Sequence, residues 1–349
     1  MLKQLDYLPE NLLELEATQL SETLQGPTLI HLSGEQSEPL FVSVLVHGNE
    51  TVGWDAVRLL LKKFTSESGA MALPRALSIF IANVEAASQG ARHLPEQPDY
   101  NRVWPGCPEQ ASKDFPRERA MMQQVVDIMA QRRVFASIDL HNNTGLNPHY
   151  ACINVVNDHF LYLAMLFSRT IVYFINPCQV NSMAMSKICP AVTLECGKVG
   201  QKLGVQHAVD YLDACLRLTG FPAHALAEQD YDLFHTVATV HILDTVAFDF
   251  DNASAEFNLP GDIEYMNFRE LPVRTRLGKC ADDKGFPIDV VGEQGQLLTD
   301  KYFVLEQGQL LLKQAVMPSM LTTNKEVIRQ DCLCYLMERY DSGIMAFEK

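Results

Sequence analysis

The stretch V-H-G-N-E ends on Glu50 and places an imidazole, His47, three residues before that carboxylate, just beyond a short apolar run. Both side-chain types ligate divalent metals, and both reach one cation if the chain between them turns, which Gly48 permits. A second stretch, I-D-L-H-N-N-T from Ile138 to Thr144, sets Asp139 and His141 two apart at the end of another apolar run. Residues i and i+2 of a strand share a face. The carboxylate can therefore stand behind the imidazole and take its other N–H, the usual arrangement around a metal-bound histidine. A third carboxylate, Glu195, ends the run A-V-T-L-E, where burial is costly without a partner. Finally, the stretch from Arg92 to Gly106 offers Arg92, Asn101 and Arg102 as donors toward a substrate carboxylate or a developing oxyanion. Tyr100, Val103 and Trp104 mark that stretch as packed rather than free.

Each motif also has a plain structural reading. Asn49 or Thr51 could cap a helix, the second motif could be a strand end before an Asn-rich turn, and surface arginines are commonly solvated. Together the motifs point elsewhere. Two histidines and one carboxylate leave a fourth position open, the pattern of catalytic rather than structural zinc. A metal with an open position activates water, and a separate carboxylate such as Glu195 can relay the proton to a leaving nitrogen. The same donors suit other divalent ions. Cys196, beside Glu195, lacks an evident base and reads as a small core residue; His149 is close enough in sequence to His141 to line a pocket.

The elements that must position these residues are legible as periodicities. Residues 39–46, 77–84, 135–140 and 191–195 read as buried strands, and 54–64, 117–132 and 207–218 as helices with apolar stripes. Their alternation predicts a sheet covered by helices on both faces, forming a catalytic α/β domain over residues 1–225. The motifs fall at strand ends, where open α/β sheets bind ligands. Residues 94–114 read as a long surface loop. From Tyr231 onward, short strand candidates separated by Gly, Pro and Asp turns predict a β-rich domain over residues 226–349, with a closing helix between 324 and 340.

Composition narrows the partners. The chain has 349 residues, 47% of them hydrophobic and 20% charged, and a formal net charge of −15. Such a surface repels phosphate backbones and anionic lipid, which disfavours nucleic acid and membranes as partners. No apolar run approaches the roughly 18 residues that a membrane span requires. The N-terminal stretch carries acids through its apolar residues and has no small-residue cleavage site, unlike a signal peptide. Nine cysteines without a C-x-x-C pair do not make a disulfide framework. The expectation is a reduced, cytoplasmic setting. A homo-oligomer is compatible with the sequence, which does not define the oligomeric state.

H-G-N-E-T, the N-R followed by V-W-P-G, D-L-H-N-N-T and a later Glu followed by C-G run in this order between about residues 40 and 200. Together they resemble the succinylglutamate desuccinylase/aspartoacylase family of the zinc carboxypeptidase-like superfamily. Farther on, I-E-Y-M-N-F-R-E-L-P is similar to that family's C-terminal domain. The resemblance implies a three-layer α/β/α catalytic domain with a mixed sheet, followed by a smaller β-rich domain. It implies one zinc per chain on His47, Glu50 and His141, with Glu195 as general base and Asp139 behind His141. It also implies Arg92 polarising the scissile carbonyl, Asn101 and Arg102 binding substrate, and a small anionic N-acyl substrate. Two departures stand out. Arg92 lies nine residues before Asn101, where the family has about seven. Where aspartoacylases carry an arginine about ten residues before the base, this chain has Met185, with only Lys187 nearby. Tyr302 is the nearest candidate for the tyrosine that closes the aspartoacylase pocket. The expected activity is that of an amidohydrolase on an N-acyl amino acid or related N-acyl amine. A metallocarboxypeptidase on short peptides and a non-catalytic metal- or ligand-binding protein are the alternatives; the spare carboxylate of Glu195 argues against the last.

Overall fold

The computed structural model describes residues 1–65, 71–106, 114–281 and 285–340. These residues divide into two compact units, the first comprising residues 1–142 and 149–232. The part of the expected 94–114 loop between 107 and 113 lies outside the described residues.

The first unit is built on eight strands: β1 (Lys3–Leu5), β2 (Thr28–Leu32), β3 (Gly34–Val44), β4 (Leu73–Ile81), β5 (Ala136–Asn143), β6 (Tyr150–Ile153), β7 (Thr170–Tyr173) and β8 (Ala191–Lys198). They lie in the order β1-β2-β4-β3-β5-β8-β6-β7. Strand β3 runs parallel to both β4 and β5, whereas β2 pairs antiparallel with β4 and β6 with β8, so the sheet is mixed, as expected. The central strands are buried on both faces, which explains their near-continuous apolar sequence. The helices are α1 (Leu20–Leu24), α2 (Val52–Phe64), α3 (Val84–Ser88), α4 (Pro116–Gln131), α5 (Asp158–Met165), α6 (Asn181–Met185) and α7 (Lys202–Arg217). Helices α2 and α7 pack on each other. Gly53 brings α2 so close to Val44 and Leu140 that a Cβ there would lie 2.8 Å from Val44 Cγ1 and 2.9 Å from Leu140 Cβ. Leu140 and Cys196 thus face the α2–α7 layer. Their neighbours Asp139, His141 and Glu195 face the opposite side by strand alternation, the side on which Asn181 of α6 reaches the sheet.

The second unit comprises residues 143–148 together with the chain from Leu233 onward. Its strands are β9 (Asp232–Ile242), β10 (Phe248–Phe250), β11 (Phe257–Leu259), β12 (Arg276–Cys280), β13 (Ile288–Gly292), β14 (Phe303–Glu306), β15 (Gln309–Leu312), β16 (Met317–Ser319) and β17 (Cys334–Arg339). Strands β10, β11, β12, β15 and β14 form one sheet in that order, while β9 pairs with both β13 and β17. The core of this unit includes Val240, Phe257, Ile263, Tyr302, Phe303 and Leu333. Tyr302 is buried in it, with its hydroxyl donating to Glu338 Oε1 at 3.1 Å.

One expectation needs correction. The closing helix extends only over Lys325–Gln330, capped by Asn324, and residues 334–339 are instead the strand β17. Pairing with β9 overrides the local helical pattern there. Cys178 is disulfide-bonded, while Cys152, Cys189, Cys196 and Cys215 are free thiols. Partner cysteines meet through the fold, so their spacing along the chain is no guide. No helix among the described residues is long and apolar enough to cross a membrane.

The turn after β3 is closely constrained. Leu45 adopts φ 54°, a left-handed conformation unusual for a bulky residue, and is held there by Asn83 N–H donating to its carbonyl at 2.8 Å. Gly48 does not have a positive φ. Its role is close approach: a Cβ would lie 2.3 Å from the backbone nitrogen of Ala87 in α3. Gly48→Ala should therefore push the turn off α3 and destabilise the metal-free protein by about 1–3 kcal/mol, typical for overpacking. Urea unfolding checks this; an unchanged midpoint would show that the turn is free to move.

Candidate metal centre

The turn brings His47 and Glu50 together, closed by Glu50 N–H donating to the His47 carbonyl at 3.1 Å. Glu50 then lies between two rings: its Oε1 is 2.9 Å from His47 Nδ1 and its Oε2 is 2.8 Å from His141 Nδ1. The donor atoms of these three residues lie within 4.8 Å of one another, and all three residues are buried. The two histidines meet edge to face, with ring centroids 5.0 Å apart.

Behind each ring stands a carboxylate. His141 Nε2 is 2.8 Å from Asp139 Oδ2, the arrangement expected from the D-L-H spacing. His47 Nε2 is 2.9 Å from Asp99 Oδ1, a partner the sequence reading did not single out. The available signal was an acid two residues before Asn101, in a stretch otherwise rich in cationic donors. Asp99 also accepts the backbone N–H of Asn101 at 2.7 Å and the Arg92 guanidinium at 2.9 Å.

With Nε2 of each ring donating to a carboxylate, each Nδ1 presents a lone pair toward another carboxylate, Glu50. Lone pair facing lone pair is an arrangement that a metal ion held by both groups would satisfy. Counting the groups around the rings gives the same result. Glu50, Asp99 and Asp139 carry three negative charges, and Arg92, 3.5 Å from Glu50, returns one positive charge. Neutral imidazoles thus leave a deficit that one divalent ion would balance. Burial alone would lower the His141 pKa, but Asp139 and Glu50 raise it well above the ordinary value. Burial would raise Glu50 and Asp99; His47 and His141 hold Glu50 well below the usual range, and His47 and Arg92 do so for Asp99.

The two ligand motifs are also joined to each other. Thr51 makes no side-chain cap on α2; instead Asn142, next to His141, accepts from Val52 N–H at 3.2 Å. The Asn142 backbone N–H donates to Glu50 Oε2 at 3.1 Å, and its amide donates to the Gly197 carbonyl at 2.9 Å, two residues past Glu195. Glu195 is largely buried on β8, opposite Tyr150 and on the sheet face that carries His141.

The donor loop is packed, as expected: Tyr100, Val103 and Trp104 are buried, and Trp104 meets Phe80 edge to face. Arg92 reaches the cluster despite its longer spacing, because Gly48 N–H donates to its carbonyl at 3.0 Å and pins it beside the His47 turn. Asn101 Oδ1 accepts from the backbone of Asn181, and Arg102 donates to the Asn101 carbonyl. Met185 is fully buried in α6, and Lys187 is exposed, with its amine on the Gly106 carbonyl. His149 does not join the cluster; its ring stacks on His207 of α7, with centroids 5.2 Å apart.

The Asp99 contact predicts that Asp99→Asn weakens metal affinity by roughly 10–100-fold, the usual effect of losing a partner behind a ligand, and that Asp139→Asn does the same. Chelator competition measures both. Wild-type affinity in Asp99→Asn would separate Asp99 from the metal centre.

The model of the succinylglutamate desuccinylase/aspartoacylase catalytic domain matches residues 37–218, more than half of the chain. No curated protein matches the chain by sequence. Among solved structures, succinylglutamate desuccinylase from Chromobacterium violaceum is similar with a TM-score of 0.54 at 18% identity, over 88% of this chain and 86% of that one. Succinylglutamate desuccinylase/aspartoacylase from Rhodobacter sphaeroides gives a TM-score of 0.57 at 13% identity, over 90% and 89%. Murine aminoacylase 3 gives 0.52 at 15%, over 88% and 96%. The fold is shared along nearly the whole chain, and the chain belongs to the succinylglutamate desuccinylase/aspartoacylase family.

Proposed function

We propose that the protein is a zinc-dependent amidohydrolase that cleaves the amide bond of an N-acyl amino acid. The observation that carries this reading is the orientation of the two imidazoles. Both turn Nε2 to a carboxylate and Nδ1 to Glu50, which makes His47, Glu50 and His141 a three-donor set for one cation. Family membership supports the reaction class.

When bound at these residues, zinc supplies Lewis acidity toward an amide carbonyl and toward water. The rest is the work of the chain. Glu195 takes the proton from the attacking water and delivers it to the leaving nitrogen, so that amide and water become acid and amine. Arg92, held between Glu50 and Asp99, offers its guanidinium to the oxygen on which negative charge develops. Arg102, beside Asn101, takes the carboxylate of the amino-acid part, to which a guanidinium can present two parallel donors.

Glu195→Gln keeps the shape and removes the proton acceptor. Turnover should fall by at least ~10²-fold with metal content unchanged; near-normal turnover would exclude Glu195 from the chemistry.

The side chain of the amino acid follows from α6. Met185 stands where aspartoacylases carry an arginine, and Lys187 is exposed on the Gly106 carbonyl, so neither supplies that cation. A second substrate carboxylate close to the scissile bond would lose its charged partner, at a cost of several kcal/mol. At about 1.4 kcal/mol per tenfold in rate, this amounts to roughly two orders of magnitude. N-acyl amino acids with neutral side chains should accordingly show a higher kcat/KM than N-acetylaspartate or N-succinylglutamate on the zinc-loaded enzyme. N-acetylaspartate as the best substrate would mean that another residue provides the missing cation.

A further inference from the structure

Behind Asp139 the chain of hydrogen bonds continues through Ser43 and Asn181, neither of which has a role assigned above. Ser43, on β3, lies 2.5 Å from Asp139 Oδ1 and 2.9 Å from Asn181 Nδ2. Ser43, Asp139 and Asn181 are all 0% exposed, so water does not replace any link.

The donor and acceptor inventory fixes the direction of this chain. A carboxylate only accepts, so Ser43 gives its single hydrogen to Asp139. With that hydrogen committed, Ser43 can only accept from Asn181, whose amide nitrogen only donates. Asp139 Oδ2 is left to accept from His141 Nε2 at 2.8 Å. The hydrogen of His141 is thereby placed on Nε2, and Nδ1 turns a lone pair toward Glu50, the form that a metal ligand needs. At the other end, the backbone N–H of Asn181 donates to Asn101 Oδ1 at 3.1 Å.

We infer that Ser43 and Asn181 are positioning residues. They fix the tautomer and ring orientation of His141 through Asp139, and they tie that ligand to the Asn101–Arg102 loop. The metal centre and the substrate-binding loop are thus one hydrogen-bonded unit. The inference rests on the zinc reading above, and the experiment separates the two.

Zinc dissociation constants are measured by chelator competition for the full-length wild type, Ser43→Ala, Asn181→Ala and the double variant. Visible absorption of the cobalt-loaded proteins reports on ligand geometry. Each single variant should bind zinc roughly 10-fold more weakly, the low end for partners behind a ligand, with an altered cobalt spectrum. Because Asn181 acts through Ser43, the double variant should bind no more than about twofold worse than Ser43→Ala. Ser43→Thr, which keeps the hydroxyl, should recover affinity. Wild-type affinity in both single variants, or losses that add in full, would overturn the inference while leaving the zinc reading intact. A wild type that binds no metal would remove both. If Ser43→Ala fails to fold, Asn181→Ala decides alone, since it keeps the backbone N–H on Asn101.

Discussion

Two imidazoles and the carboxylates of Glu50 and Asp139 are buried together, with Asp99 half-buried beside them, and a cation among them would balance their charge. Glu50 bridges the Nδ1 atoms of His47 and His141, while Asp99 and Asp139 occupy the Nε2 atoms. Charge in a low-dielectric interior is tolerated when paired and hydrogen-bonded. Arg92 supplies part of that pairing, and the deficit that remains has the magnitude of a divalent ion. The surrounding structure can be understood as what is needed to hold these groups at hydrogen-bonding distance from one another.

Three devices do the holding. The left-handed Leu45 ends β3 and turns the chain toward His47, a strained conformation of the kind found where function over-determines local structure. Gly48 lets that turn lie against the backbone of α3. Asn142 joins the start of α2, Glu50 and the strand end that follows Glu195. Each device connects elements remote in sequence, so the ligands are set by a framework rather than by any single loop.

The same framework extends to α6. His47, Glu50, His141, Asp99, Asp139 and Arg92 form one network, which Asn181 of α6 joins through Ser43, whereas Met185 lies in the core.

The sequence by itself determined four strands and three helices of the first unit, the location of His47, Glu50, His141 and Glu195 on or just after those strands, and the pairing of Asp139 with His141. All of these follow from local rules: buried apolar runs, helical stripes and the shared face of residues two apart on a strand. Tertiary structure alone decided the rest. Asp99 is 52 positions from His47, and Ser43 is 138 from Asn181. The strand at 334–339 exists because β9 is there to pair with it. Hydrogen bonds and strand pairings of that span depend on which surfaces the folded chain brings into contact, and no local periodicity encodes that.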